Sequence, residues 1–254
     1  MINPVLSSEI DHLVALVDDS EYIFEKIKKE FEKSGFPVSL NSGKEGKNFK
    51  TITPFVGRSY FEMLRLLGGA SDECPDCVNQ WNKGGVRGVV MLFLRVKDLD
   101  VIYKTLCQNK VYVKEPYREY YGVKRNKKSM PLRYLDLPII EDLPLWIRWI
   151  QYDTMMWNML RTGPKPNSKN VNGVDHFDSI KIKGPFTSED FSLLEKVFPK
   201  IGDGEINQVN LRNSKLLFEK SKKTGIEIVA LTDDDDYIGK QMKMYNFDIK
   251  VRGM

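Results

Sequence analysis

Histidine and cysteine are scarce in this chain, with two and three copies among 254 residues. Two histidines leave very few bases for a triad mechanism. Three cysteines cannot build a disulfide framework in so long a chain, and their scarcity points to a reducing, cytoplasmic setting. Long apolar runs are missing too. The longest uncharged one, Val89–Leu94 extended by Gly88, falls far short of the ~20 residues of a spanning helix. Met1-Ile2-Asn3-Pro4-Val5-Leu6 lacks the basic start and long apolar stretch of a signal peptide. Neither a membrane partner nor export is expected. No charge of one sign dominates: 39 Lys and Arg stand against 35 Asp and Glu, interleaved, for a net +4. A nucleic-acid partner wants a concentrated basic face and is not expected. No P-loop, Rossmann glycine signature, nucleophile elbow or His-Glu-x-x-His motif occurs.

What is present is a folding composition, 41% hydrophobic and 29% charged, which disfavours disorder, and a repeat. Ile10–Val17 is β-branched and apolar, and reads as a strand covered on both faces. Asp18, Asp19 and Ser20 offer N-caps to a helix with Ile23, Phe24, Ile27 and Phe31 on one stripe, stopped at Gly35. Strands are expected at Phe36–Asn41, Phe49–Phe55 and Ser59–Leu66. The pattern returns with the strand Val89–Val96, a helix capped at Asp98 or Asp100 and carrying Val101, Ile102 and Leu106, and strands in Tyr112–Glu119, Pro131–Leu137 and Leu145–Ile150. A looser copy starts at Phe177–Ile182. Thr187 and Asp190 suggest a capping box there, and strands follow near Glu205–Leu211, Ser214–Glu219 and Ile226–Leu231.

The fold class is therefore α+β, built of repeated βαβββ modules. The first 153 residues hold two of them (8–67 and 86–153), residues 154–173 form a turn-rich linker, and 174–254 hold a third, degenerate module. Asp233 to Met254 shows no clear period. Sliding the first unit onto the second places Val17 on Val96, Asp19 on Asp98 and His12 on Met91.

Paired modules opening on Ile10-Asp11-His12-Leu13 and closing on Ser59-Tyr60-Phe61-Glu62-Met63-Leu64 resemble the vicinal oxygen chelate superfamily. Leu143-Pro144-Leu145-Trp146-Ile147-Arg148-Trp149, together with Asn172-Gly173-Val174, resembles its glyoxalase-like subgroup. The resemblance implies that two modules pack into a half-open barrel whose cup holds the active site. In the metal enzymes of that superfamily, His and Glu on the first and last strands of each module ligate a divalent metal, which polarises a substrate carbonyl.

Carried over residue by residue, His12 and Glu62 match the ligands of the first module. Their counterparts do not: Met91 is a soft thioether, and Arg148, matched through Trp146-Ile147-Arg148, has no lone pair to give. No four-ligand metal is expected, with His12 and Glu62 the residual ligands if a divalent metal binds. His12, Glu62, Arg148 and Trp146 become candidate ligand-binding residues. Two readings of the charges stay open. Glu62 and Arg148 neutralise each other across the cavity, or Arg148 grips a carboxylate or phosphate of an anionic ligand. A second metal set, adding His176 and Glu227, conflicts with register, since His12 lies seven residues before Asp19 and His176 eleven before Thr187.

The expected function is a small-molecule-binding protein, with catalysis left open. The alternatives are a divalent-metal lyase or dioxygenase of the same superfamily, and a structural or partner-binding domain with a vestigial site. Pairing of the third module with another chain is a route to a homodimer. Cys74-Pro75-Asp76-Cys77 has redox or zinc spacing but lies in the connector between modules. Asp233-Asp234-Asp235-Asp236 lacks calcium-loop spacing, and Lys124-Arg125-Asn126-Lys127-Lys128 reads as a solvated loop tip.

Overall fold

The computed structural model describes residues 3–39, 48–72, 74–120, 131–140, 143–153, 173–174, 176–198 and 206–254. The Lys124–Lys128 loop and nearly all of the 154–173 linker lie outside them. In the first module, β1 (Glu9–Val17), α1 (Glu21–Lys33), β2 (Val38–Ser39), β3 (Phe49–Val56) and β4 (Ser59–Leu66) follow in order. Every residue of β1 is buried, as a strand covered on both faces requires. The Ser20 hydroxyl caps α1 by accepting from the Ile23 N–H, and Phe24, Ile27 and Phe31 form its buried stripe.

The connector then forms a helix of its own, α2 (Asp76–Lys83). The second module follows as β5 (Gly88–Arg95), α3 (Leu99–Gln108), β6 (Tyr117–Tyr120), β7 (Pro131–Asp136) and β8 (Trp146–Gln151). Asp98 caps α3, whose buried side chains are Leu99, Ile102 and Leu106, while the expected stripe residue Val101 is exposed. The two modules share one eight-stranded sheet in the order β2-β3-β4-β1-β5-β8-β7-β6. Within each, the first and last strands run parallel, and the modules meet at the antiparallel β1–β5 pair.

The second sheet repeats this plan. β9 (Phe177–Gly184), α4 (Ser188–Val197), β10 (Ile206–Asn210) and β11 (Lys215–Lys220) form one unit, opened by the expected Thr187–Asp190 capping box. β12 (Gly225–Thr232), β13 (Gln241–Met244) and β14 (Phe247–Gly253) form another, in the sheet order β10-β11-β9-β12-β14-β13. Again β11 is parallel to β9, β14 is parallel to β12, and β9 meets β12 antiparallel. The sequence reading made β12 the closing strand of a third module and left 233–254 unassigned. The structure instead makes β12 the opening strand of a fourth unit, whose helix has shrunk to the turn Asp235–Tyr237. Without an amphipathic helix this unit lacks the period that marks the other three.

One apolar core runs between the sheets. It takes Leu13, Ala15 and Val17 from β1, the stripes of α1 and α3, and Phe177, Ile180, Phe218 and Phe247 from the second sheet. Phe61 stacks on Phe247 and meets Phe177 edge-on. The tip before β14 clamps the halves together. The Asn246 side chain accepts from the Val89 N–H at 2.8 Å and donates to the Val89 carbonyl at 3.2 Å. Gly88 makes room for it: its φ is +98°, and a Cβ there would lie 2.0 Å from the Asn246 Oδ1.

Candidate functional site

The opposite face of the first sheet forms the cup. Strand alternation sends Val14, Leu16, Leu64, Met91, Phe93 and Ile150 into it. A cavity of about 190 Å³ opens there, with His12, Tyr60, Glu62, Phe93, Tyr134, Arg148 and Tyr152 in its walls. Register supports the matching of the modules. His12 stands beside Tyr60 and Val14 beside Glu62; Met91 stands beside Trp146 and Phe93 beside Arg148. Glu62 and Arg148 thus hold corresponding places.

His12 is fixed by its sequence neighbour. Adjacent strand residues normally point to opposite faces, but β1 carries a bulge against β5. Ile10 opposes Leu94 and His12 opposes Phe93, which leaves Asp11 as the extra residue. Side-chain parity changes across it, so Ile10 joins Leu13 in the inner core while Val14 faces the cup. Asp11, 1% exposed, can then accept from the His12 Nδ1 at 2.6 Å. In a neutral ring this bond places the hydrogen on Nδ1 and the lone pair on Nε2. The imidazole lies nearly parallel between Tyr60 and Phe93, with centroids 4.5 and 4.1 Å away.

Asp11 is held in turn. It accepts from the Tyr152 hydroxyl at 2.8 Å and from the Arg95 Nη1 at 3.4 Å, and Arg95 also donates to Glu9 at 3.0 Å. Burial works to raise the Asp11 pKa, but His12, Arg95 and Tyr152 together hold it below the ordinary 3.8. Burial pushes the Tyr60 and Tyr152 hydroxyls well above 10, so both stay protonated.

Arg148 finds a different partner from the one its sequence position suggested. Its Nε donates to the Asp136 Oδ1 at 2.7 Å and its Nη2 to the Tyr117 hydroxyl, which itself donates to the Asp136 Oδ2 at 2.8 Å. Its guanidinium packs on Trp146, Tyr134 and Phe93, at 4.3, 4.8 and 5.3 Å from the ring centroids. The Glu62–Arg148 pair, one of the two readings left open for these charges, is not formed. Glu62 has no hydrogen bond or ion pair among the described residues, and it is only partly buried. Trp146 stands against Arg148 without lining the cavity.

The donor set does not fit a four-ligand divalent metal. Among the described residues no group of three or more His, Cys, Asp or Glu side chains could hold one, and a guanidinium stands where the last-strand carboxylate of the second module would be. The other proposed set is not assembled either. Glu227 lies on β12 of the second sheet and accepts from the Lys183 Nζ at 2.6 Å, and neither it nor His176 lines the cavity with His12.

Sequence reasoning missed Asp11, whose acidic side chain was visible but whose bulge was not, and Asp136, which sits on a neighbouring strand. It also missed the placement of the connector. Cys74 and Pro75 reach the cavity wall, and Cys77 packs on the cup's apolar cluster. Neither Cys74 nor Cys77 is in a disulfide, and burial pushes the Cys77 thiol up.

The second sheet shows a different filling of its outer face. Lys181 pairs with Glu219 at 3.2 Å, and Lys183 with Glu219 at 3.8 Å and Glu227 at 2.6 Å. These side chains tie three neighbouring strands to one another.

No protein-family model matches the sequence, and comparison with curated proteins gives no match. Solved structures do match. A hypothetical protein from Staphylococcus aureus is 13% identical, with a TM-score of 0.68 over 97% of this chain and 99% of its own. A xylose isomerase-like TIM barrel/4-hydroxyphenylpyruvate dioxygenase fusion protein is 15% identical, with a TM-score of 0.58 over 92% of this chain and 39% of its own. Identities this low speak to fold alone. The twisted sheets here, with their antiparallel central pairs, are no part of an all-parallel barrel, so that match falls on the dioxygenase portion. No helix among the described residues is long and apolar enough to cross a membrane. The chain has the fold of the vicinal oxygen chelate superfamily, laid out as two tandem pairs of modules.

Proposed function

We propose that this chain binds a small molecule in the cup of its first sheet, without a four-ligand metal centre. One observation carries the reading. The cavity wall holds a carboxylate, Glu62, with no partner among the described residues, together with a histidine whose Nδ1 is tied to Asp11. A vestigial, purely structural site would be expected to pair or exclude such a carboxylate, because a half-buried charge left alone is costly. An anion on Arg148 is the less favoured ligand, since Asp136 and Tyr117 already engage its guanidinium.

The test is ligand-detected NMR with a panel of one-ring fragments, run on the wild type and on Leu132→Trp. Leu132 is a half-buried cavity-wall residue, and a tryptophan there should plug the cup while leaving the core intact. Fragments that bind the wild type and are lost in the plugged variant, at a similar melting temperature, would support the reading. Equal binding to both proteins would refute it.

A further inference from the structure

The hydrogen-bonding character of the cup names a ligand class, an inference that rests on the cup being a small-molecule site. Arg148 and Tyr152 are already engaged as donors. Arg148 donates to Asp136 and Tyr117, with aromatic rings against its guanidinium, and Tyr152 donates to Asp11. Two acceptors remain on the wall: the Glu62 carboxylate and, in a neutral ring with Nδ1–H given to Asp11, the His12 Nε2.

Charge follows the same division. The Asp136 carboxylate balances Arg148, and Arg95 lies between Glu9 and Asp11, with Arg212 also 3.4 Å from Glu9. Glu62 is the wall charge without a counter-ion among the described residues. Around it the wall is aromatic and aliphatic, with Phe49, Tyr60, Phe93 and Leu64. A carboxylate beside aromatic faces is a setting that stabilises a positively charged nitrogen.

We infer that the cup takes a compact organic cation, a protonated amine carried on one ring, whose N–H groups donate to Glu62 and to the His12 Nε2 while the ring lies against the aromatic wall. The cavity's size limits the ligand to about one ring, because about 190 Å³ is below the roughly 300–1,000 Å³ of pockets for larger ligands.

Three molecules of nearly the same shape test this on the purified full chain: benzylamine, benzyl alcohol and benzoate, titrated by NMR or calorimetry at neutral pH. Benzylamine should bind about tenfold or more tightly than benzoate, the worth of one charge-assisted hydrogen bond. Glu62→Gln should remove that advantage and leave benzyl alcohol within about twofold of wild type. Benzoate binding as well as benzylamine, or an advantage that survives in Glu62→Gln, overturns the inference and leaves the cup reading standing. If no member of the set shifts signals from His12, Tyr60 or Glu62, the inference falls with the cup reading. The wild-type comparison decides even if the variant does not fold.

Discussion

On the open face of the first sheet, His12, Tyr60, Glu62 and Arg148 stand around a cavity. On the matching face of the second, Lys181, Lys183, Glu219 and Glu227 close upon one another. Both sheets have the same arrangement of two parallel pairs flanking an antiparallel central pair. Topology therefore sets where a cup lies, and side-chain chemistry sets whether it is open. In the second sheet Lys181 and Lys183 each meet a carboxylate within 4.0 Å, so these four charges satisfy one another. In the first, Arg148 and Arg95 are paired beside the cavity, and Glu62 has no counter-ion among the described residues.

Removing one charge from each face should separate the two most widely. Arg95, 2% exposed, lies between two carboxylates. Arg95→Met leaves them unpaired in the interior and should cost about 3–5 kcal/mol by chemical denaturation. Lys183→Met, on the half-exposed ladder, should cost no more than about 1 kcal/mol, and less at high salt. Equal costs would erase the distinction.

The clamp between the halves should come next. Asn246→Ala removes both bonds to Val89 and should lower stability by about 1–3 kcal/mol. Gly88→Ala should act in the same direction, because its Cβ would collide with Asn246 in a backbone conformation that suits glycine.

Acid should act more gently and chiefly on the first cup. The Asp11 pKa is depressed on folding, so its contribution is present above the ordinary 3.8 and is lost as pH falls through the lower folded value. A stability–pH curve of Asp11→Asn should be flatter than wild type below about pH 4. Glu227 is also held below its ordinary 4.5, first by its hydrogen bond from Lys183 and against partial burial. Because it is more exposed, Glu227→Gln should flatten the curve less.

Much of the first sheet was legible because its strands are long and its helices capped. Ser59–Leu66 was read with the boundaries it has, and the Thr187–Asp190 box was read from four residues. The fourth unit was not legible, since its helix is reduced to Asp235–Tyr237 and its hairpin strand β13 spans only Gln241–Met244. Nor was the region after α3. The expected strand from Tyr112 begins only at Tyr117, and Tyr112 itself is exposed. At the site, matching Trp146-Ile147-Arg148 to Tyr60-Phe61-Glu62 put Glu62 and Arg148 in corresponding places, as the register does. The Asp11–His12 contact depends on a bulge that breaks that period, and the Arg148–Asp136 pair depends on the packing of β7 beside β8, which no local pattern encodes.

The most direct test of the contrast between the two faces is chemical-shift mapping of the full chain with benzylamine. The expected result is movement of His12, Tyr60 and Glu62 signals, with Lys181, Glu219 and Glu227 unmoved. Shifts confined to the lysine–glutamate face, or no shift at His12 and Glu62, would contradict it.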